Sequence, residues 1–251
     1  LRAARVKWNL LSPRARLVCF MLLLTVLAVA ALSTIDFLFS SYKVVNLQHP
    51  TTTGFSVVIN TYKRPALLAD AVRHYADSCG KAWGVDNVYI VWAEERVIPP
   101  NVESFFYHIQ RVRNSLNSCF LEIPGLADAV FMVDDDIRAD CKSLEASFTA
   151  WRANPHSMVG YYPRLAVVGK DNDYIYHSWP NVYLRNRMNM VLTKACFLHS
   201  RYMALYTSSP QEIHDYVDKY FNCEDVAMSM LVANFTRYES SKKMPARPIY
   251  I

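Results

Sequence analysis

Three short runs of apolar, largely β-branched residues constrain this chain more than any other feature. They are FSVVIN at 55–60, VYIVW at 88–92 and AVFMV at 129–133. Each is too short for a helix and mostly apolar, Ser56 and Asn60 excepted, as strands covered on both faces are. Helical patterns separate and follow them. Pro65 suits the first turn of a helix, and Leu68, Val72 and Tyr75 then recur on one helical face. SLEASFTAWRAN (143–154) reads as a helix with Ser143 as its N-cap. Residues 211–220 and 224–234 read as helices, and MVGYY (158–162) and NMVLT (189–193) as further strands. The alternation predicts an α/β fold with a largely parallel sheet, whose ligands bind beyond the carboxyl ends of the strands. None of the six glycines falls in a G-x-G-x-x-G or P-loop pattern.

A different chemistry rules the N-terminus. Residues 17–35, LVCFMLLLTVLAVAALSTI, carry no charge, and Arg2, Arg5, Lys7, Arg14 and Arg16 precede them without an acid. At 1.5 Å per residue such a helix approaches the ~30 Å bilayer core. The expected order is a cytoplasmic tail (1–16), a signal anchor (17–39), a stem with Pro50 (40–54) and a lumenal domain (55–251). A cleaved signal peptide is the rival, since Ala28-Val29-Ala30 resembles its cleavage site. Without those five bases, acids and bases are equal in number, so a basic nucleic-acid-binding surface is not expected. The chain starts without Met and ends on PIYI, which reads as clipping at both ends.

Five cysteines follow the apolar run (Cys79, Cys119, Cys141, Cys196 and Cys223), with no C-x-x-C pair among them. An oxidising lumen predicts some disulfides, with one cysteine left over. Asn234-Phe235-Thr236 is an N-glycosylation tripeptide.

The chemistry concentrates in a few places. Asp134-Asp135-Asp136 directly follows AVFMV. Two carboxylates ~5 Å apart repel by about 3 kcal/mol at an effective dielectric of about 20, and a hard divalent cation is the usual remedy. Carboxylate ligands beside phosphate suit Mn²⁺ or Mg²⁺. Were the strand to continue, Asp134 and Asp136 would face one side and Asp135 the other. The bland alternative is a solvated acidic turn. Tyr62-Lys63-Arg64-Pro65 offers cations at a helix start, an anion site or simply a surface turn. Asn222-Cys223-Glu224-Asp225 opens a helix with acids, which favours its dipole or supplies a carboxylate facing the triplet. Arg164 follows a strand. The aromatics of YIYHSWPNVY (174–183) could stack on a sugar ring, or could pack as core or rim. No H-E-x-x-H or G-x-S-x-G pattern is present, so neither a zinc protease nor the usual serine hydrolase is indicated.

Taken in order, FSVVINTYKRP, VYIVW, AVFMVDDDI, FTAWRANPHSMVGYYPR, MVLTKACFLHSRYMALY and NCEDVAMSMLVAN resemble glycosyltransferase family 64, the exostosin-like transferases and their plant relatives. The match covers about residues 55–235, and NCEDVAMSMLVAN is nearer the plant-type members. The resemblance implies a GT-A, Rossmann-like fold in a single-pass type II membrane protein of the Golgi or endoplasmic reticulum. It implies metal-dependent, retaining sugar transfer from a nucleotide-sugar, with a DxD-type Mn²⁺ (or Mg²⁺) site. On it Asp136 holds the metal, and Tyr62, Arg64, Asp134, Asp135 and Arg164 bind the donor. Asp225 and Glu224 are the catalytic carboxylates. GDP-mannose with a sphingolipid acceptor is the first candidate pair, and UDP-N-acetylhexosamine with a glycan chain the second. A homo- or hetero-oligomer is a further possibility.

Three departures stand out. Where the family has an Asn-Arg pair ahead of the triplet, this chain has Ser118-Cys119. Where the family has an Asn after its second strand, Ala93-Glu94 stand, and WPNVYLRNRMN replaces a Gly-rich stretch. Cys119 and Cys196 are both unusual for the family, which suggests that they pair. Cys223 pairs in the family with a later cysteine that lies past the end of this sequence. Two other readings follow from the same residues: a catalytically silent partner of a sister transferase, and a metal-dependent lumenal hydrolase.

Overall fold

A computed structural model describes residues 21, 24, 25, 52–94, 96, 107–171, 173–239 and 249–250, with the backbone alone for 107–111, 237–239 and 250. Met21, Leu24 and Thr25 are helical. The rest of the expected anchor at 17–39, its tail and nearly all of the stem lie outside the described residues. Among the described residues no helix is long and apolar enough to cross a membrane.

The three apolar runs form the middle of one sheet. β1 (Phe55–Thr61) lies between β2 (Val85–Trp92) and β4 (Ala129–Asp134), parallel to both, and β3 (Tyr107–Arg111) extends the sheet beside β2. On the other side β9 (Ala195–His199) runs antiparallel to β4 and to β5 (Val159–Gly160), and β10 (Ile249–Tyr250) pairs with β5. The strand order is β10-β5-β9-β4-β1-β2-β3, a mixed, largely parallel sheet of Rossmann-like kind. A Cβ on Gly160 would lie 2.7 Å from that of Cys196, so a glycine is needed where β5 meets β9.

Strand alternation sends side chains to two apolar layers. Phe55, Val57 and Ile59 pack with Phe131, Val133, Leu144, Phe148 and Trp151 on one face. Val58, Val130, Met132 and Leu198 pack with Tyr202, Met203 and Met228 on the other. The first layer is covered by α1 (Pro65–Val72), which continues as a π-helical turn to Cys79, and by α2 (Cys141–Ala153). The second is covered by α4 (Arg201–Thr207) and α6 (Glu224–Glu239). Pro65 stands in the first turn of α1, and Leu68, Val72 and Tyr75 are all fully buried, as their spacing predicts.

Several expectations are corrected. The N-cap of α2 is Asp140, whose carboxylate accepts the Ser143 N–H at 3.0 Å; Ser143 lies inside the helix. MVGYY contributes only the two residues of β5, because the chain turns at Tyr161 into β6 (Pro163–Val168). NMVLT contributes only β8 (Met190–Val191). β6 pairs antiparallel with β8 and with β7 (Tyr174–His177), forming a separate three-stranded sheet. The YIYHSWPNVY aromatics lie on β7 and on α3 (Trp179–Arg185), mostly exposed rather than in the core.

The disulfide joins Cys79 to Cys141, with Cα atoms 5.3 Å apart. Cys119, Cys196 and Cys223 are free thiols, so the Cys119–Cys196 pairing is wrong. Cys79 ends the π-helical turn against the start of α2, where the geometry permits a bridge. Cys196 and Cys119 instead fill space in the second apolar layer, as small hydrophobic side chains do.

Candidate active site

The strand order sets the site at the carboxyl ends of β1 and β4. Asn60 pairs with Asp134 in register, and the ladder runs one step further, where the Asp135 N–H reaches the Asn60 carbonyl at 3.2 Å. The strand ends at Asp134; Asp135 and Asp136 lie in the following turn. Arg64 meets both, Nη2 on Asp135 Oδ1 at 2.6 Å and Nη1 on Asp136 Oδ2 at 2.9 Å. Asp135 and Asp136 therefore face one cation together, and the strict alternation expected for the triplet fails because the strand has stopped.

Asp135 is fully buried and also accepts the Thr61 hydroxyl at 2.5 Å. Burial pushes its carboxyl up, while Thr61 and Arg64 pull it down. The loop behind it is fastened in turn. Arg138 donates to the carbonyls of Asp135, Ile137 and Leu67 at 2.7–2.8 Å. Tyr75 donates to the Ile137 carbonyl and accepts the Ala139 N–H, both at 3.1 Å, and burial raises its hydroxyl to about 12. Lys63, at φ 55°, holds the tip of β1 with its N–H on Glu94 at 3.1 Å.

The other wall of the site is the turn into α6. Phe221 and Cys223 adopt left-handed backbone, at φ 49° and 74°. This conformation is unfavourable for such side chains, and it sets Glu224 and Asp225 at the helix start. Asp225 accepts the Val226 N–H at 2.8 Å; burial raises its carboxyl, which Arg164 opposes. Glu224 is raised to about 7 by burial, with added repulsion from Asp225 and Asp134. Its Oε2 is buried without a hydrogen-bond partner, as is Asn60 Oδ1. Asp134 is raised to about 6, by burial and then by Asp136 and Asp135, against Lys194 and Arg64. Cys119 stands in the same field: burial, then Glu224 and Asp134, push its thiol up.

The structure thus joins Arg64, Asp135 and Asp136 by direct contact at the ends of β1 and β4, while Glu224 feels the charges of Asp134 and Asp225, and Asp225 that of Arg164. Tyr62 stands exposed at the rim, with Lys63 Nζ 4.9 Å from its ring centre. Asn234 is exposed but lies within α6, remote in sequence from the site-forming turn, and the Thr236 hydroxyl is buried and bonded to the Val232 carbonyl at 2.7 Å. Sequence reasoning overlooked Thr61, Arg138, Lys194 and Asn60. Thr61 and Arg138 carried a weak signal, being polar residues at the tip of β1 and just behind the triplet. Lys194 and Asn60 gave none.

The donor atoms of these residues are carboxylate and amide oxygens; Asn60 Oδ1 and Glu224 Oε2 are buried without partners and Asp135 Oδ1 has only its ion pair with Arg64, which fits a hard divalent cation rather than a soft one. Buried carboxylates with raised pKa values on facing elements are suited to exchanging protons or to steadying positive charge.

Residues 55–248 match the profile of the Glycosyl transferase family 64 domain. The chain is similar to glycosylinositol phosphorylceramide mannosyl transferase 1 of Arabidopsis thaliana, 36% identical over 219 residues, covering 78% of this chain and 64% of that protein. It is also similar to glucosamine inositolphosphorylceramide transferase 1 of Oryza sativa subsp. japonica, 34% identical over 191 residues, with 72% and 24% covered. Exostosin-2 of Mus musculus is 31% identical over 210 residues, with 79% and 28% covered. The chain therefore spans less than two thirds of the length of each of these relatives.

Proposed function

Since this chain belongs to glycosyl transferase family 64, we propose that it transfers a sugar from a nucleotide-sugar to a glycolipid acceptor, with retention at the anomeric carbon. The observation that carries the reading is the meeting of two acidic groups, Asp134–Asp136 and Glu224–Asp225, at the carboxyl ends of parallel strands, with one buried carboxylate oxygen of Glu224 unpartnered. The domain is of GT-A type over residues 55–251, carried on a type II anchor at 17–39 in the Golgi. GDP-mannose is the first candidate donor and UDP-N-acetylhexosamine the second. The names of the plant relatives, which specify inositolphosphorylceramide, support a sphingolipid acceptor.

In this mechanism Asp136 would hold Mn²⁺ or Mg²⁺, which when bound neutralises charge on the nucleotide diphosphate leaving group. Arg64, with Tyr62 at the rim, orients the donor phosphates and nucleoside. Arg64 is held in place by Asp135, and Asp135 by Thr61. Asp134 faces the ribose and donor sugar. Glu224 and Asp225 lie where positive charge develops at the anomeric carbon, and carboxylates fixed there need no reorganisation as it forms. Arg164 opposes the rise that burial imposes on the Asp225 carboxyl. Glu224, raised to about 7, can take the acceptor hydroxyl proton near neutral pH.

The test is a thermal shift of the full chain with GDP-mannose and UDP-sugars, in Mn²⁺ and in EDTA, beside Asp136→Ala. The reading expects a metal-dependent shift with one nucleotide class, lost in the variant. No shift with any nucleotide would overturn it in favour of a silent binding partner.

A further inference from the structure

The second, three-stranded sheet carries an exposed surface that the transfer chemistry does not use. On β7 and α3 the side chains of Tyr174, Trp179, Tyr183 and Leu184 are 66%, 59%, 56% and 84% exposed. Trp179 and Tyr183 stand one helical turn apart with ring centres 6.0 Å from each other, so they form one patch rather than scattered contacts. Exposed apolar area gathered in this way marks an interaction site.

Charge selects the partner. Arg185 and Arg187 are exposed at the end of α3, and residues 174–187 hold no acid, Asp171 and Asp173 lying just before β7. A second aromatic face provides the contrast. On α5 (Gln211–Tyr220), Tyr216 and Tyr220 are about half exposed, but Glu212 and Asp215 are exposed beside them. Trp, Tyr and Leu flanked by arginine suit the boundary between headgroups and acyl chains, with the arginines on anionic headgroups. The α5 face has the wrong charge for that. The patch also adjoins the cleft: Tyr176 of β7 feels the charges of Asp225 and Arg164.

We propose that β7 and α3 dock on a bilayer surface bearing anionic phosphoinositol headgroups, with Trp179, Tyr183 and Leu184 entering the interface and Arg185 and Arg187 meeting the headgroup phosphates. This rests on the glycolipid-acceptor reading and adds to it how a membrane-held acceptor is presented, with its headgroup brought to the Tyr176–Arg164 side of the cleft.

The experiment is hydrogen exchange on the full chain in nanodiscs of phosphatidylcholine, with and without phosphatidylinositol. Backbone exchange over 174–187 is expected to slow in the phosphatidylinositol discs, while α5 is unchanged. Arg185→Ala and Arg187→Ala should each lower that protection roughly fivefold. Trp179→Ala should weaken it in discs of either composition. Exchange that does not depend on phosphatidylinositol overturns the proposal. So does protection that persists in detergent and grows with protein concentration, which would put a second copy of the chain on the patch. A chain that still transfers sugar but shows either of these results leaves the transferase reading standing without the membrane face.

Discussion

The two acidic walls of the cleft are built in opposite ways. The Asp135 wall is complete: a buried carboxylate with Thr61 and Arg64, and a loop tied down by Arg138, Tyr75 and the Cys79–Cys141 bridge. The Glu224 wall is left open, with two left-handed residues before it and a buried carboxylate oxygen without a partner. A carboxylate whose bonds are already made can position its neighbours but has little left to offer a ligand. One that is desolvated and unpartnered stores free energy that a ligand or a reacting centre releases. In the proposed mechanism the first wall is a platform and the second a reactive face.

The largest expected effect breaks the reactive wall. Glu224→Gln keeps the shape and removes the charge. Sugar transfer should fall about 10²- to 10³-fold, while stability in urea at neutral pH should not fall. Unchanged turnover would make Glu224 another structural acid and erase the contrast. Next comes the platform. Asp135→Ala removes two charge-assisted contacts from a buried site and should lower stability by about 2–3 kcal/mol in urea. A loss below about 0.5 kcal/mol would show that Arg64, 43% exposed, is satisfied by water instead.

The smallest effect sharpens the comparison through pH. Glu224 at about 7 and Asp134 at about 6 lie above the value of about 4 expected in the unfolded chain. Between those values the folded state holds protons that the unfolded state has released. Their contribution is therefore fully present below about pH 4 and is lost as pH rises through about 6 to 7. Because the two carboxylates influence each other, their losses in EDTA do not simply add, and Glu224→Gln should reduce the slope while leaving the share that belongs to Asp134. Denaturation midpoints that stay level or rise over this range would contradict the desolvation of the open wall.

Legibility in the sequence followed the same division. Largely apolar runs announced β1, β2 and β4, and the acids after AVFMV marked the candidate site, because both signals are local. The Arg64–Asp135 pair was legible only as two separate motifs, since the strand pairing that unites them is long-range. β9 went unread because ACFLH is short and has no flanking Gly or Pro. β3 lies in a stretch of mixed polarity. The disulfide was missed because cysteine spacing does not encode which helix ends meet in space. The exposed aromatics of β7 and α3 could be noticed in the sequence, but not assigned to a surface until their strands were placed.

The antiparallel strand β9 has a further consequence, for the making of the protein. It is inserted between β4 and β5 but is synthesised after both. Until residues 195–199 leave the ribosome, β4 has an unprotected edge directly beside the apolar centre of the nascent sheet. The Cys79–Cys141 bridge can close before then, holding the first layer while the second waits. Completion depends on contacts distant along the chain, which slows the search and lengthens the exposure of a sticky edge. The interval between synthesis of β4 and arrival of β9 is when chaperones would matter most to its yield.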